Sequence, residues 1–242
     1  MNLPIPQEIE VSIQSQELDN LRILHLSDLH ISKKTRDSSL TELVTICNSI
    51  AYDFIVITGD IIDEKVKHIK GKLQILNSLK SKAYYISGNH DLVYDIQELK
   101  EELDNFVFMD NECKSFDFNN HKIYIAGLPD RFSHFFKIKR DITKISKFLQ
   151  INSATILLAH QPKDYQIALS TNTSLFLCGH THGGQIFPFH YLVRLAQPFL
   201  KGLHYRGNTA IYINSGVGTW GIHHRFKAPS EITLLKLRYN NK

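Results

Sequence analysis

Five short apolar runs, each ending in a cluster of Asp, Asn, His and Gly, constrain this chain more than any other feature of its sequence. They are LRILHLSDLH (21–30), DFIVITGD (53–60) with Ile61, Ile62 and Asp63 behind it, AYYISGNHD (83–91), ATILLAH (154–160) and SLFLCGH (174–180) running into THGG. Runs of four to eight apolar residues without alternation suit strands covered on both faces. Between them lie stretches with helical spacing: Leu40, Leu43, Val44 and Ile50 in 39–51, and Ile69, Leu73, Leu76 and Leu79 in 66–80. Further helices are expected over 95–104, 139–150 and 163–170. Strands alternating with helices predict an α/β fold with a parallel sheet. In such sheets ligands gather outside the carboxyl ends of the strands. All five polar endings therefore point at one place.

The remaining runs exceed what one sheet holds. EVSIQ (10–14) reads as an edge strand. FVFMD, KSFDF and KIYIAG read as an antiparallel meander with Asn119-Asn120 as a turn, and TAIYINS and EITLLKL add two strands near the end. The expectation is one domain over residues 1–242, α/β, with mixed strands in two sheets. With 43% hydrophobic and 21% charged residues the chain has the composition of a globular core, which excludes disorder over most of its length. A net charge of +4 from 28 basic and 24 acidic residues is far from a nucleic-acid binder, so no specific nucleic-acid partner is expected. Cys47, Cys113 and Cys178 are widely spaced and odd in number, which argues against a disulfide scaffold and for a reducing compartment. The first residues lack the pattern of a secretory signal, and no run of roughly eighteen apolar residues suggests a membrane span. A cytoplasmic protein is the expectation.

Histidine carries the functional signal, with thirteen copies, several flanked by Asp, Asn and Gly. Imidazole and carboxylate together suit manganese, iron or zinc better than calcium. Asp28 and His30 lie where a strand breaks, Asp60 follows Gly59, Asn89 and His90 follow Gly88, and His180 and His182 lie between glycines. Taken singly, a histidine at a strand end or an Asp after Gly is usually a satisfied turn residue. Five such endings in one chain are not independent accidents.

In this order, Asp28-x-His30, Gly59-Asp60-x-x-Asp63, Gly88-Asn89-His90-Asp91, His160 and Gly179-His180-x-His182 resemble the calcineurin-like metallophosphoesterase superfamily. The resemblance implies a two-sheet sandwich flanked by helices, in four α/β/β/α layers. It implies two divalent metal ions, one held by Asp28, His30 and His182, the other by Asn89, His160 and His180, with Asp60 bridging. It further implies hydrolysis of a phosphodiester or pyrophosphate by a hydroxide shared between the ions. His90 would serve the leaving oxygen as a non-ligand acid, and Asp63 would hold its imidazole. The tail, from GHTHGGQIFP through YRGNTAIYINSGVGTWG to HRFKAPSEITLL, is similar to bacterial phosphodiesterases tethered at the inner membrane, a group that includes UDP-diacylglucosamine hydrolases. That adds a lipid-linked phosphoester as the first substrate expectation, peripheral contact with the inner membrane, and a nucleotide or small diester as the second substrate.

Other residues are open at this level. Asp91 is as much a turn cap as a catalytic group, and Gln161 and Gln185 are either donors behind the ligands or satisfied by backbone. Arg194, Arg206 and Arg225 are candidate phosphate grips or solvated charges. The apolar segment 186–203 is read first as packed core; as an exposed lip it would present Phe187, Phe189, Leu192 and Leu195 beside the metals. Two rival functions remain: a nuclease or nucleotide phosphodiesterase on the same scaffold, and a binding protein without catalysis.

Overall fold

In the computed structural model, which describes residues 3–188, 190–221 and 224–240, strands and helices alternate as the sequence predicts. The elements are β1 (Gln7–Ile13), β2 (Arg22–Leu26), α1 (Asp37–Ser49), β3 (Phe54–Ile57), α2 (Lys70–Leu76), β4 (Ala83–Tyr85), α3 (Asn89–Val93), α4 (Ile96–Glu102), β5 (Phe106–Phe108), β6 (Cys113–Phe118) and β7 (His121–Gly127). There follow α5 (Ile142–Gln150), β8 (Thr155–Leu158), α6 (Tyr165–Ser170), β9 (Leu175–Cys178), α7 (His190–Ala196), β10 (Gly202–Arg206), β11 (Thr209–Ile213) and β12 (Thr233–Tyr239). The strands form two six-stranded sheets, in the orders β1-β12-β2-β3-β4-β5 and β10-β11-β9-β8-β7-β6.

Side-chain alternation explains why the central strands read as continuous apolar runs. Ile23 and Val56 from the first sheet meet Ile156, Leu158, Leu175 and Leu177 from the second in a core between the sheets. The intervening residues point outward. Leu24, Leu26, Ile55 and Ile57 pack under α1, α2 and α4 through Leu40, Leu73 and Leu99. On the far side Leu157, Phe176 and Ile211 pack under α5 and α6 through Ile145, Leu149 and Ala168. Helix, sheet, sheet and helix thus stack in four layers around three cores. No helix among the described residues is long and apolar enough to cross a membrane.

The expected meander splits. β5 runs parallel to β4 in the first sheet, and the chain then crosses to the second, where only β6 and β7 make an antiparallel hairpin. A three-strand meander would leave the edge of β4 bare, whereas β5 covers it. The expected strand 83–91 stops at Tyr85, and Asn89–Val93 coils into α3. The expected helix 66–80 is a 3₁₀ turn over Val66–His68 followed by α2. β10, with only half-buried and exposed positions, had no apolar run to reveal it.

The turn of the β6–β7 hairpin is as expected. Asn119 and Asn120 take φ of 47° and 64°, between the paired residues Phe118 and His121. Two left-handed residues in a two-residue loop match the right-handed twist of the flanking strands, and Asn tolerates that conformation. Asn120→Ala should therefore lower the melting temperature by a few degrees, since a left-handed alanine costs roughly 1–2 kcal/mol, while Asn120→Gly should not. Thermal unfolding of both variants checks this.

Candidate metal centre

The carboxyl ends of β2, β3, β4, β8 and β9 meet, and the side chains gathered there come from both sheets. Asp28, His30, Asp60, Asn89 and His90 follow strands of the first sheet, whereas His160, His180 and His182 follow strands of the second. Five of these residues hold left-handed backbone: Asp28 (φ 52°), His30 (46°), Asp60 (54°), His180 (71°) and His182 (51°). A non-glycine residue in that region is uncommon and costs energy, and such residues cluster at functional sites. Here the chain turns sharply after each strand, which lets residues two apart face the same side. Glycine makes the crowding possible at Gly59, where a Cβ would lie 2.5 Å from His160 Nδ1 and 2.7 Å from the Gly88 amide.

Each carboxylate is anchored by one oxygen and presents the other. Asp28 Oδ2 accepts from Ser27 Oγ at 2.5 Å and from the His180 amide at 3.0 Å. Its Oδ1 is buried without a hydrogen-bond partner and lies 3.3 Å from His182 Nε2. Asp60 Oδ1 accepts from the His90 amide at 2.9 Å, while Oδ2 stands 3.3 Å from His160 Nε2 and 3.7 Å from His30 Nε2. Asn89 Oδ1 is likewise buried without a partner. Buried acceptors are normally satisfied. An orphaned carboxylate oxygen among converging imidazoles, with a second orphaned oxygen at the start of α3, is the mark of a site shaped for a cation.

The imidazoles converge in two groups. His30 Nε2 and His182 Nε2 are 3.0 Å apart beside Asp28, and His160 Nε2 and His180 Nδ1 are 3.1 Å apart beside Asp60. The ligand atoms of each trio, Asp28–His30–His182 and Asp60–His160–His180, lie within 4.8 Å of one another. His160 Nδ1 donates to the Thr58 carbonyl at 2.7 Å, which leaves Nε2 facing the centre. Burial opposes ionisation of Asp28 and Asp60, but the surrounding imidazoles hold both carboxyls below the usual carboxylate range. Burial pushes His30 and His180 down to about 4, so both are neutral at neutral pH. Burial works against protonated His160 too, yet the Asp60 carboxylate holds its pKa well up. A cation binding there would displace that proton.

His90 and Asp63 stand at the edge of the group. His90 Nδ1 lies 2.9 Å from Asp63 Oδ1, and the His90 ring meets that of His30 edge-on, with centroids 4.7 Å apart. Burial lowers the His90 pKa, but the Asp63 hydrogen bond and the charges of Asp60, Asp63 and Asp91 outweigh it and raise the value overall. His90 also lies close enough to His30 and Asp60 to complete a third trio of ligand atoms.

The structure places the residues that the sequence left open. Asp91 is wholly buried and accepts from the amides of Asp60 (2.8 Å), Ile62 (3.1 Å) and Gly88 (2.9 Å), tying two of the ligand loops together. Arg225 is no free phosphate grip. Its guanidinium donates to the carbonyls of His182, Ser215, Gly216, Gly218, Ala228 and Pro229, and lies 3.1 Å from His182 Nδ1. It staples the tail loop behind His182. Arg206 is exposed on β10, its Nη1 donating to its neighbour's carbonyl. Gln161 donates to Asp130, and Gln185 exchanges hydrogen bonds with the backbone of Trp220. Phe189 and the side chains of Leu192 and Arg194 lie outside the described residues. The positioning residues Ser27 and Arg225 were not legible as such; only the glycine-rich GVGTWG signalled close packing near Arg225.

Residues 21–184 match the calcineurin-like phosphoesterase family, and the chain belongs to it. It is 38% identical to an uncharacterized metallophosphoesterase of Helicobacter pylori over 98% of this chain and 65% of that protein. A transmembrane protein with metallophosphoesterase domain from Danio rerio is 32% identical, with 96% of this chain and 56% of that protein covered. The chain thus spans less than two thirds of the length of these relatives. Among solved structures, a dimetal phosphatase from Danio rerio superposes with a TM-score of 0.53 at 11% identity, covering 82% of this chain and 88% of that one. That likeness concerns the fold.

Removing the Asp91 carboxylate would strand three buried amides, each worth roughly 1–3 kcal/mol when unsatisfied. Asp91→Ala should therefore lower the melting temperature markedly, with Asp91→Asn intermediate because its amide oxygen still accepts. Calorimetry on the three proteins measures the difference.

Proposed function

We propose that this chain is a metal-dependent phosphoesterase that hydrolyses a phosphodiester or pyrophosphate bond. The observation that carries this reading is the buried, unpartnered Asp28 Oδ1 beside the imidazoles of His30 and His182, with the Asp60–His160–His180 trio converging likewise and Asn89 Oδ1 also buried without a partner. Asp28, His30 and His182 would hold one divalent ion and Asn89, His160 and His180 the other. Asp60 Oδ2, which faces both His30 and His160, would bridge them. Manganese, iron or zinc suits this mixture of imidazole and carboxylate. When bound, two such ions supply Lewis-acid polarisation of a phosphoryl group and a nucleophile at neutral pH.

The chain's own groups do the rest. With Nδ1 held by Asp63, His90 keeps Nε2 free of that bond, and the upward shift in its pKa favours the protonated ring that would give a proton to a leaving oxygen. A cavity of about 710 Å³ opens beside His30, walled by Ser32, Lys34, Thr35 and Arg36, whose charges and hydroxyls suit a phosphate ester. The first substrate class is lipid-linked, with a nucleotide or small diester second. In the segment after His182, Phe199 packs into the core as the packed-core reading expects, whereas Phe187, Tyr191 and Leu195 are 44%, 58% and 86% exposed, which supports an acyl-receiving lip. The Danio rerio relative is named a transmembrane protein, which fits a substrate met at a bilayer. Placement at the inner-membrane periphery on the cytoplasmic side belongs to the same reading.

Manganese-loaded protein should turn over bis-p-nitrophenyl phosphate faster than p-nitrophenyl phosphate. His90→Ala should lose about 10²–10⁴-fold in kcat while elemental analysis still finds two ions. Loss of an ion in that variant would make His90 a ligand and remove the acid from this scheme.

Leu195→Ser tests the lip. Burial of acyl carbons stabilises a complex by about 0.8 kcal/mol per methylene. The variant should raise KM severalfold for an acylated diester and leave bis-p-nitrophenyl phosphate unaffected, because so exposed a leucine supports no core. Equal KM values for the acylated substrate in both proteins would remove the lipid from the reading.

A further inference from the structure

A second cavity, of about 690 Å³, is lined by five cationic side chains: Arg131, Lys137, Lys139, Arg140 and Lys163. Gln161, which also lines it, is the residue after His160. Its floor is built. Asp164 is buried, its side chain 0% exposed, and it holds both guanidiniums: Arg131 Nη1 at 2.8 Å on one oxygen and Arg140 Nη2 at 2.7 Å on the other. Arg140 Nε is tied to the Pro129 carbonyl at 2.9 Å. One carboxylate thus fixes two guanidiniums and neutralises only one of them. Arg131 remains 45% exposed, with no other hydrogen bond to its guanidinium among the described residues. Lys137, Lys139 and Lys163 form no ion pair among the described residues, and all three are exposed. Phe132 and Ile138 add an apolar wall.

Five cations around one neutralising acid would repel one another without a purpose, and a preformed arginine pair is suited to phosphate oxygens. We propose that this cavity is an anion subsite for an organic phosphate, seating a second anionic group of the substrate while its reacting phosphate lies at the metal centre. The inference rests on the phosphoesterase reading and deepens it: the substrate carries a further anionic group with an apolar portion against Phe132. That group is the phosphate of a lipid headgroup or of a soluble metabolite, and the two sources share this chemistry.

The test compares metal-loaded wild type with Lys139→Glu/Lys163→Glu, whose exposed positions leave the core alone. Methylenediphosphonate, a pyrophosphate analogue whose P–C–P bridge resists hydrolysis, is titrated calorimetrically, with metal content checked before and after. The variant should take up one equivalent fewer than wild type, or bind that equivalent at least tenfold more weakly, whatever the metal centre itself accepts. Its turnover of bis-p-nitrophenyl phosphate, which has no second anion, should be unchanged. Flotation with phosphatidylcholine vesicles, with and without phosphatidylglycerol, separates the sources. Retention on the anionic vesicles that the variant loses assigns a headgroup; no retention, with the diphosphonate difference intact, assigns a soluble phosphate. Identical diphosphonate uptake by both proteins overturns the subsite. Failure to hydrolyse any diester, with the uptake difference present, overturns the catalytic reading and leaves the anion site standing.

Discussion

The attraction between carboxylates of one sheet and imidazoles of the other is what the candidate centre depends on. Asp28 and Asp60 descend from the first sheet, and His160 and His182 approach them from the second, each to 3.3 Å. Neither sheet holds a complete set of ligands. The apolar layer between the sheets therefore sets the spacing at the rim, and Leu158 and Leu177, just before the ligand loops of β8 and β9, are members of that layer. Charges buried this deeply are tolerated because each is met by opposite charge or by a backbone amide. Rigid packing and site geometry are one problem here.

Much of this was legible in the sequence because it depends on period and order. Unbroken apolar runs announced strands covered on both faces, and the clusters at their ends announced convergence. What could not be read depends on conformation. Nothing in the letters said that the ligand-bearing residues themselves, and not only glycines beside them such as Gly59 and Gly183, would take left-handed backbone. Nor could spacing say that His160 would turn Nε2 inward while His180 offers Nδ1, since that follows from the Thr58 carbonyl taking the other proton of His160. Arg225 was misread because its partners are carbonyls, which every residue has and no motif displays. β5 was assigned to the wrong neighbours because strand propensity says nothing of which sheet a strand joins.

Of the two cavities, one is lined by His30 itself and the other by Gln161, the residue after His160. Their chemistry differs. The first mixes hydroxyls, two cations beyond the Arg225 staple, and apolar residues; the second is dominated by cations fixed through one buried acid. A substrate extending both ways from its reacting phosphate would meet unlike surroundings on its two arms, and that asymmetry would decide which bond lies in line with His90.

The placement of β12 bears on how the molecule is assembled. Gln7 of β1 pairs with Thr233 of β12, and the other edge of β12 pairs with β2, so this late strand is inserted between two of the earliest. β1 has no other strand partner among the described residues. During synthesis β1 must wait without its partner, and β2 with a bare edge, until the tail emerges, and contacts this distant in sequence form slowly. The same late segment delivers Arg225 to the back of His182. The metal-binding loops would therefore be drafted early but locked last, and a nascent chain would expose an unpaired strand edge throughout that delay.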